Sequence, residues 1–251
     1  MIKYCLMTDK GLRHSINEDC IFFNKKVTQS EFFLKKGIIL GDRLIAAIFD
    51  GVGGAKFGDL ASKTAASILK KIDCSCINDR LSVINLVQTL NNSILTEQNK
   101  INTFDMYSTF VGIFINSDRV IFANVGDSKV YLYHNESLIL KSVDDTYKNK
   151  LLKEGKIPKN EIEKLDTAHM ITSYLGKIDF EKNKSHFFES KLVKDDRILL
   201  MSDGVSDLIS EIELLDILRK QKKINNIIKE IRKIVISRGA HDNFSIIIVE
   251  V

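Results

Sequence analysis

The chain has 251 residues, 44% of them apolar and 28% charged, with a formal net charge of +4. That length and apolar content suit one substantial core, so residues 1–251 are expected to form a single domain. No run approaches the roughly 18 uninterrupted apolar residues of a membrane span and the first residues turn polar too soon for a secretory signal, while interspersed charges point to neither nucleic acid nor membrane; a cytoplasmic protein is expected.

Runs rich in Ile, Val, Phe and Tyr at 2–7, 20–23 and 43–49 predict the first strands. Residues 57–72 and 79–101 space their apolar side chains by three and four, which predicts two successive amphipathic helices. Apolar runs at 108–115, 119–125, 129–133 and 137–140 then follow one another through short connections such as Asn-Ser-Asp and Gly-Asp-Ser, the pattern of an antiparallel meander. A strand at 197–201, a helix at 224–237 and a strand at 244–251 complete the chain. Paired helices after the third strand and a helix before the last suggest sheets with helices packed outside them, an α+β layered sandwich. One proline, Pro158, and no linker or repeat leave the domain undivided. Cys5, Cys20, Cys74 and Cys76 lack the spacing of a disulfide framework, and nothing near Cys74 and Cys76 completes a zinc set, so a reducing compartment is expected.

Chemistry is suggested by where the acids fall. Three apolar runs stop at an aspartate, Asp50, Asp127 and Asp203; a fourth run begins just after Asp242, and Glu18 and Asp19 stand before the strand at 20–23. Antiparallel pairing lays the end of one strand beside the start of its neighbour, so these carboxylates could gather at one sheet edge. One aspartate at a strand end is ordinary turn chemistry. Several together repel unless a cation neutralises them, and all-oxygen ligation suits Mg²⁺ or Mn²⁺ better than Zn²⁺. The glycines after Asp50 lack the Gly-Lys-Ser/Thr ending of a P-loop, no dinucleotide fingerprint follows any strand, and the five histidines form no H-E-x-x-H or triad-like cluster.

Taken in order, "TDKGLRHSINED" (8–19), "FDGVGG" (49–54), "STFVGIFI" (108–115), "ANVGDSKVYLY" (123–133), "DDRILLMSDGVSD" (195–207) and "HDNFSIIIVEV" (241–251) resemble the metal-dependent Ser/Thr protein phosphatases of type 2C in their compact bacterial form. The resemblance implies a four-layer α-β-β-α sandwich, with two central antiparallel sheets flanked by helix pairs. It also implies a binuclear Mg²⁺ or Mn²⁺ centre, in which Asp50 bridges the ions, Asp203 and Asp242 complete one site, and Glu18 with the Gly51 carbonyl serves the other. Asp19 would hold metal-bound waters, and Asp127 with Asp203 and Asp207 matches a weaker third metal position. Gly53 and Gly54 would keep side chains away from the ions. The implied reaction is in-line attack on a phosphoserine or phosphothreonine phosphorus by a metal-bridged water, with no phosphoenzyme. The implied partner is a phosphoprotein targeted by a Ser/Thr kinase, met by a monomeric enzyme.

The chain departs from that pattern at several points. The arginine that contacts substrate phosphate in most relatives is here His14, with Arg13 beside it, so phosphate binding is expected to be weaker, pH-sensitive or supplied by Arg13. Val52 stands where animal relatives carry a histidine. The usual T-x-D-H-S survives only as "SVDDT" (142–146), before the region to Gly176 that in relatives carries a flap over the site. Two other readings stay open: a signalling or scaffold domain of the same fold that turns over little substrate because of His14, and a nucleotide or sugar phosphomonoesterase, which the motif order disfavours.

Overall fold

Isoleucine, valine and phenylalanine fit a pleated surface better than a helix, and the runs rich in them become strands. The computed structural model describes residues 1–155, 158, 161, 165, 167, 170–181 and 184–251. Its strands are β1 (Ile2–Asp9), β2 (Cys20–Phe23), β3 (Lys26–Thr28), β4 (Phe32–Ile39), β5 (Arg43–Phe49), β6 (Phe110–Asn116), β7 (Arg119–Val125), β8 (Lys129–His134), β9 (Ser137–Leu140), β10 (His186–Lys191), β11 (Arg197–Met201) and β12 (Phe244–Glu250). The helices are α1 (Gly58–Ile68), α2 (Arg80–Ile101), α3 (Tyr147–Glu154), the single turn α4 (Asp203–Ser206), α5 (Glu211–Lys220) and α6 (Ile224–Ser237).

The strands form two six-stranded sheets, ordered β4-β1-β12-β11-β8-β9 and β10-β7-β6-β5-β2-β3, and every neighbouring pair is antiparallel. Three apolar layers hold them. Between the sheets lie Leu6, Ile48, Phe122, Leu200 and Ile247. Outside the second sheet, Phe49, Phe110 and Phe114 pack under α1 and α2 through Ala65, Leu90 and Ile94. Outside the first, Met7, Phe244 and Ile248 pack under α5 and α6 through Leu214, Ile227 and Ile231. The result is the expected α+β sandwich of four layers. Both faces of β5, β6, β7 and β12 are covered, which is why these strands read as continuous apolar runs without alternation.

Local signals set the helix ends. Asp79 caps α2 by accepting from the Ser82 N–H at 2.7 Å, while the Ser82 hydroxyl oxygen accepts from the Asp79 N–H at 3.1 Å. Ser210 and Glu213 form the same reciprocal box on α5. The helix expected at 224–237 is α6 with those bounds.

One expectation fails in a way that matters for the site. The runs from Ser108 to Leu140 do not form a continuous meander: β6 pairs with β7 and β8 with β9, but β7 and β8 belong to different sheets. A short connection can close a hairpin or carry the chain from one layer to the other, and the sequence pattern is the same in both cases. Here Gly126, at φ +100°, turns the chain across, and its N–H is held by Asp145 Oδ2 at 3.0 Å. The crossing carries Asp127 to the edge between the sheets.

The sequence reading also left out β3, β4, β10, α3, α4 and α5. Strands β4 and β10 are sheet edges whose apolar alternation is broken by Lys35-Lys36-Gly37 and by Glu189-Ser190. In the region 142–176, expected to carry a flap, residues 156–157, 159–160, 162–164, 166 and 168–169 lie outside the described residues. All four cysteines are free. No helix among the described residues is long and apolar enough to cross a membrane.

Candidate metal centre

The register of the two sheets brings the predicted carboxylates to one edge. In the second sheet Phe49 lies opposite Cys20, so Asp50, after β5, is beside Asp19, before β2. In the first sheet Met201 lies opposite Ile246, which sets Asp203 near the start of β12 and Asp242. Asp127 follows the crossing glycine, and Asp207 follows α4.

Hydrogen bonds fix these groups from below. The Asp50 carbonyl accepts from the Thr109 N–H at 2.7 Å and from the Ser108 hydroxyl at 3.0 Å. Thr109 Oγ1 lies 2.9 Å from Ser128 Oγ, which ties β6 to the residue after Asp127. Asn243 pins the first loop: its Oδ1 accepts the Glu18 N–H at 2.7 Å, and its amide donates to the carbonyls of Lys10 and Ile16 at 2.8 and 3.1 Å. Ser62 donates to the Glu18 carbonyl at 2.6 Å. Asp19 is fully buried; its Oδ2 accepts from the Ser202 hydroxyl at 2.8 Å, while its Oδ1 has no partner among the described residues. Asp127 Oδ1 and Asp144 Oδ1 are likewise buried and unpartnered.

Electrostatics agree with this crowding. Burial, then the Asp203 charge, raises the Asp50 carboxyl well above its ordinary range, and Asp50 and Asp203 stand close enough to share a hydrogen bond. Burial, with Asp242 behind it, pushes Asp203 up to about 6. Burial likewise pushes Asp19 up to about 7 and Asp127 up to about 8, with Asp203 adding to both. Glu18 is raised by burial and then by Asp59. Each ionised form is destabilised by lost hydration and by its neighbours, and a divalent cation would reverse both effects.

These residues fit such an ion. The donors are oxygens, and the Asp19 and Asp127 oxygens that lack partners cost free energy as they stand. Among the described residues, no three His, Cys, Asp or Glu side chains surround one point as a ready-made ligand set. An ion here would draw much of its coordination from water and the Gly51 carbonyl, as Mg²⁺ commonly does.

Other predicted residues take less central places. His14 is exposed, with Nε2 3.4 Å from Asp242 Oδ1, and Arg13 is exposed on the same loop. The glycines divide their work differently from the expectation. Among the described residues, a Cβ at Gly53 or Gly54 would have no protein atom within 4 Å, whereas one at Gly51 would come within 2.6 Å of the Gly58 backbone and one at Gly58 within 3.1 Å of the Glu18 carboxyl. Close approach therefore needs Gly51 and Gly58, while Gly54 serves its positive φ of +90°.

The sequence reading gave no site role to Asp144, raised by burial, which lines a polar cleft of about 300 Å³ with Asp127, Lys129, Asp203 and Asp207. Its signal was the acidic pair in "SVDDT". Asn243 and Ser202 adjoin predicted ligands, but nothing in their spacing announces the bonds they make.

A profile of the protein phosphatase 2C family matches residues 36–240. The chain is 26% identical over 254 aligned residues to the serine/threonine phosphatase stp of Listeria welshimeri, covering 97% of this chain and 93% of that protein. The solved serine/threonine phosphatase of S. agalactiae has a TM-score of 0.83 at 22% identity, covering 100% of both chains. The catalytic domain of the phosphatase PstP in complex with two manganese ions has a TM-score of 0.75 at 20% identity, covering 99% of this chain and 97% of that one. At such identities the solved structures speak for the fold alone.

Proposed function

Because this chain belongs to the protein phosphatase 2C family and is a Ser/Thr phosphatase of it, we propose that it hydrolyses phosphoserine and phosphothreonine in phosphoproteins at the carboxylate edge. Asp50, Asp203 and Asp242 would hold one Mg²⁺ or Mn²⁺ ion; Asp50, Glu18 and the Gly51 carbonyl would hold a second. Asp127 and Asp207, beside Asp203, offer a weaker third position. The manganese in the PstP catalytic domain supports the choice of metal. When bound, the ions would supply positive charge against the phosphoryl oxygens and an acidified water for direct hydrolysis.

The chain's own residues do the positioning. Thr109 and Ser108 hold the Asp50 backbone, Asn243 holds Glu18, and Ser202 orients Asp19 so that Oδ1 stays free for a water or ion. His14 and Arg13 stand on the exposed loop beside Asp242, where a phosphate contact is needed. The observation that carries the proposal is the convergence of Asp19, Asp50, Asp127 and Asp203, each raised by burial and by a neighbouring carboxylate.

The test is hydrolysis of a phosphothreonine peptide by purified protein with Mn²⁺, with EDTA, and by Asp203→Asn. Turnover is expected with Mn²⁺ alone and should be lost in the other two conditions. A folded, Mn²⁺-binding wild type without turnover would favour the signalling reading, for which the engagement of His14 with Asp242 is the relevant observation.

A further inference from the structure

Beside the loop that follows Asp50, two tyrosines meet. The rings of Tyr107 and Tyr174 have centroids 4.9 Å apart at an interplanar angle of 64°, an edge-to-face pair. The residues next to them, Met106, Ser108 and Leu175, are fully buried, whereas both tyrosines are only half-buried. Alternation along these extended segments thus gives packing to the neighbours and turns the two rings outward.

The pair is tied to the candidate centre through the backbone. The Val52 N–H donates to the Tyr107 carbonyl at 3.1 Å, and Ser108 bridges both Gly51 and Leu175. With neighbouring Cα atoms ~3.8 Å apart and bridged segments ~5 Å apart, the Tyr107 backbone lies about 6 Å from Gly51 and the Tyr174 backbone about 11 Å. An extended peptide advances about 3.4 Å per residue, so a residue about three positions from the phosphorylated one would lie over the pair. Among the described residues, a Cβ at Gly53 or Gly54 would have no protein atom within 4 Å, so this stretch of the loop offers bare backbone.

The rings are seated and flanked by charge. Gly176, at φ +98°, lies against this segment: a Cβ there would stand 2.3 Å from the Met106 carbonyl oxygen and 3.2 Å from the Tyr107 ring. The Lys177 ammonium lies 5.0 Å over the Tyr174 ring and Lys56 lies 5.5 Å from the Phe57 ring. Neither lysine is paired with a carboxylate among the described residues.

We propose that Tyr107 and Tyr174 form a docking shelf for an apolar side chain about three residues from the phosphorylated residue of the substrate, with Lys56 and Lys177 favouring an acidic residue beside it. This rests on the phosphatase reading above and adds a substrate class to it. The shelf is a specificity determinant, outside the metal chemistry.

The test compares kcat/KM for phosphothreonine peptides bearing Leu at the third position on either side and Glu next to it with kcat/KM for N-acetyl-phosphothreonine methylamide, too short to reach the shelf. Tyr107→Ala and Tyr174→Ala should lower the peptide-to-amide ratio at least about fivefold through the peptide KM, and Tyr→Phe at either position should retain it. Lys177→Glu should move preference from the Glu-bearing peptide to its Lys counterpart. A ratio unchanged in both alanine variants, or lowered equally for peptides with Gly in place of Leu, overturns the shelf. Failure of the underlying phosphatase reading looks different: the wild type with Mn²⁺ would then hydrolyse neither substrate.

Discussion

On the proposed reading His14 stands in for the phosphate-contacting arginine that the family resemblance implies, and its ring reaches Asp242 at 3.4 Å. A guanidinium is longer, permanently charged and forked to match phosphate oxygens, whereas an imidazole is short and offers no fork. His14→Arg is therefore expected to lower the KM for a phosphothreonine peptide, and steady-state kinetics showing an unchanged or higher value would remove His14 from the phosphate site. The buried acids make a second prediction at this scale, for metal-free protein. Asp203, Asp19 and Asp127 hold protons up to about 6, 7 and 8 when folded, against an ordinary aspartate value of 3.8. The folded state binds these protons more tightly than the unfolded state. Their stabilisation is therefore full below the ordinary carboxylate range and is lost as pH rises through the folded values. In EDTA the Tm should fall from about pH 5 to 8, and saturating Mn²⁺ should flatten that slope; a Tm that rises over the same interval in EDTA would count against the carboxylate cluster.

At the scale of elements, the helices carry most of their stability in their buried faces. Ile231 of α6 is fully buried among side chains of the outer layer above β1, β11 and β12. Ile231→Ala should cost about 3 kcal/mol, read from the denaturant midpoint, because deleting packed methyl groups adds a cavity to the lost transfer energy. Elements whose hydrophobic period was complete were legible: α2 and α6, and the strands covered on both faces. Edge strands β4 and β10 were not, because one open side relaxes the demand for apolar alternation and admits Lys35, Lys36 and Glu189. Helix α5 had a readable Ser210–Glu213 capping box and apolar Leu214, Ile217 and Leu218 at helical spacing, but it is short and charged around that stripe.

For the whole molecule, the carboxylate edge couples metal binding to folding. An ion that binds only the folded chain adds stability that grows with the logarithm of one plus its free concentration over its Kd. EDTA should lower the Tm of protein purified with Mn²⁺, and Asp50→Asn should shrink that shift by removing a ligand of the ion. Equal shifts in wild type and Asp50→Asn, followed by differential scanning fluorimetry, would place the ion elsewhere.

The sequence by itself determined the strands covered on both faces and the long amphipathic helices, and that its acids punctuate strand ends, because hydrophobic period and turn chemistry are local properties. Tertiary structure decided which strand ends meet. The crossing at Gly126, which looked like one more hairpin, moves β8 to the other sheet and leaves Asp127 between the two. It also decided which polar groups serve the site, since Asn243 reaches Glu18 and Ser202 reaches Asp19 across 225 and 183 residues of chain. Contacts at such separations are set by the stacking of the sheets, and no local pattern encodes them.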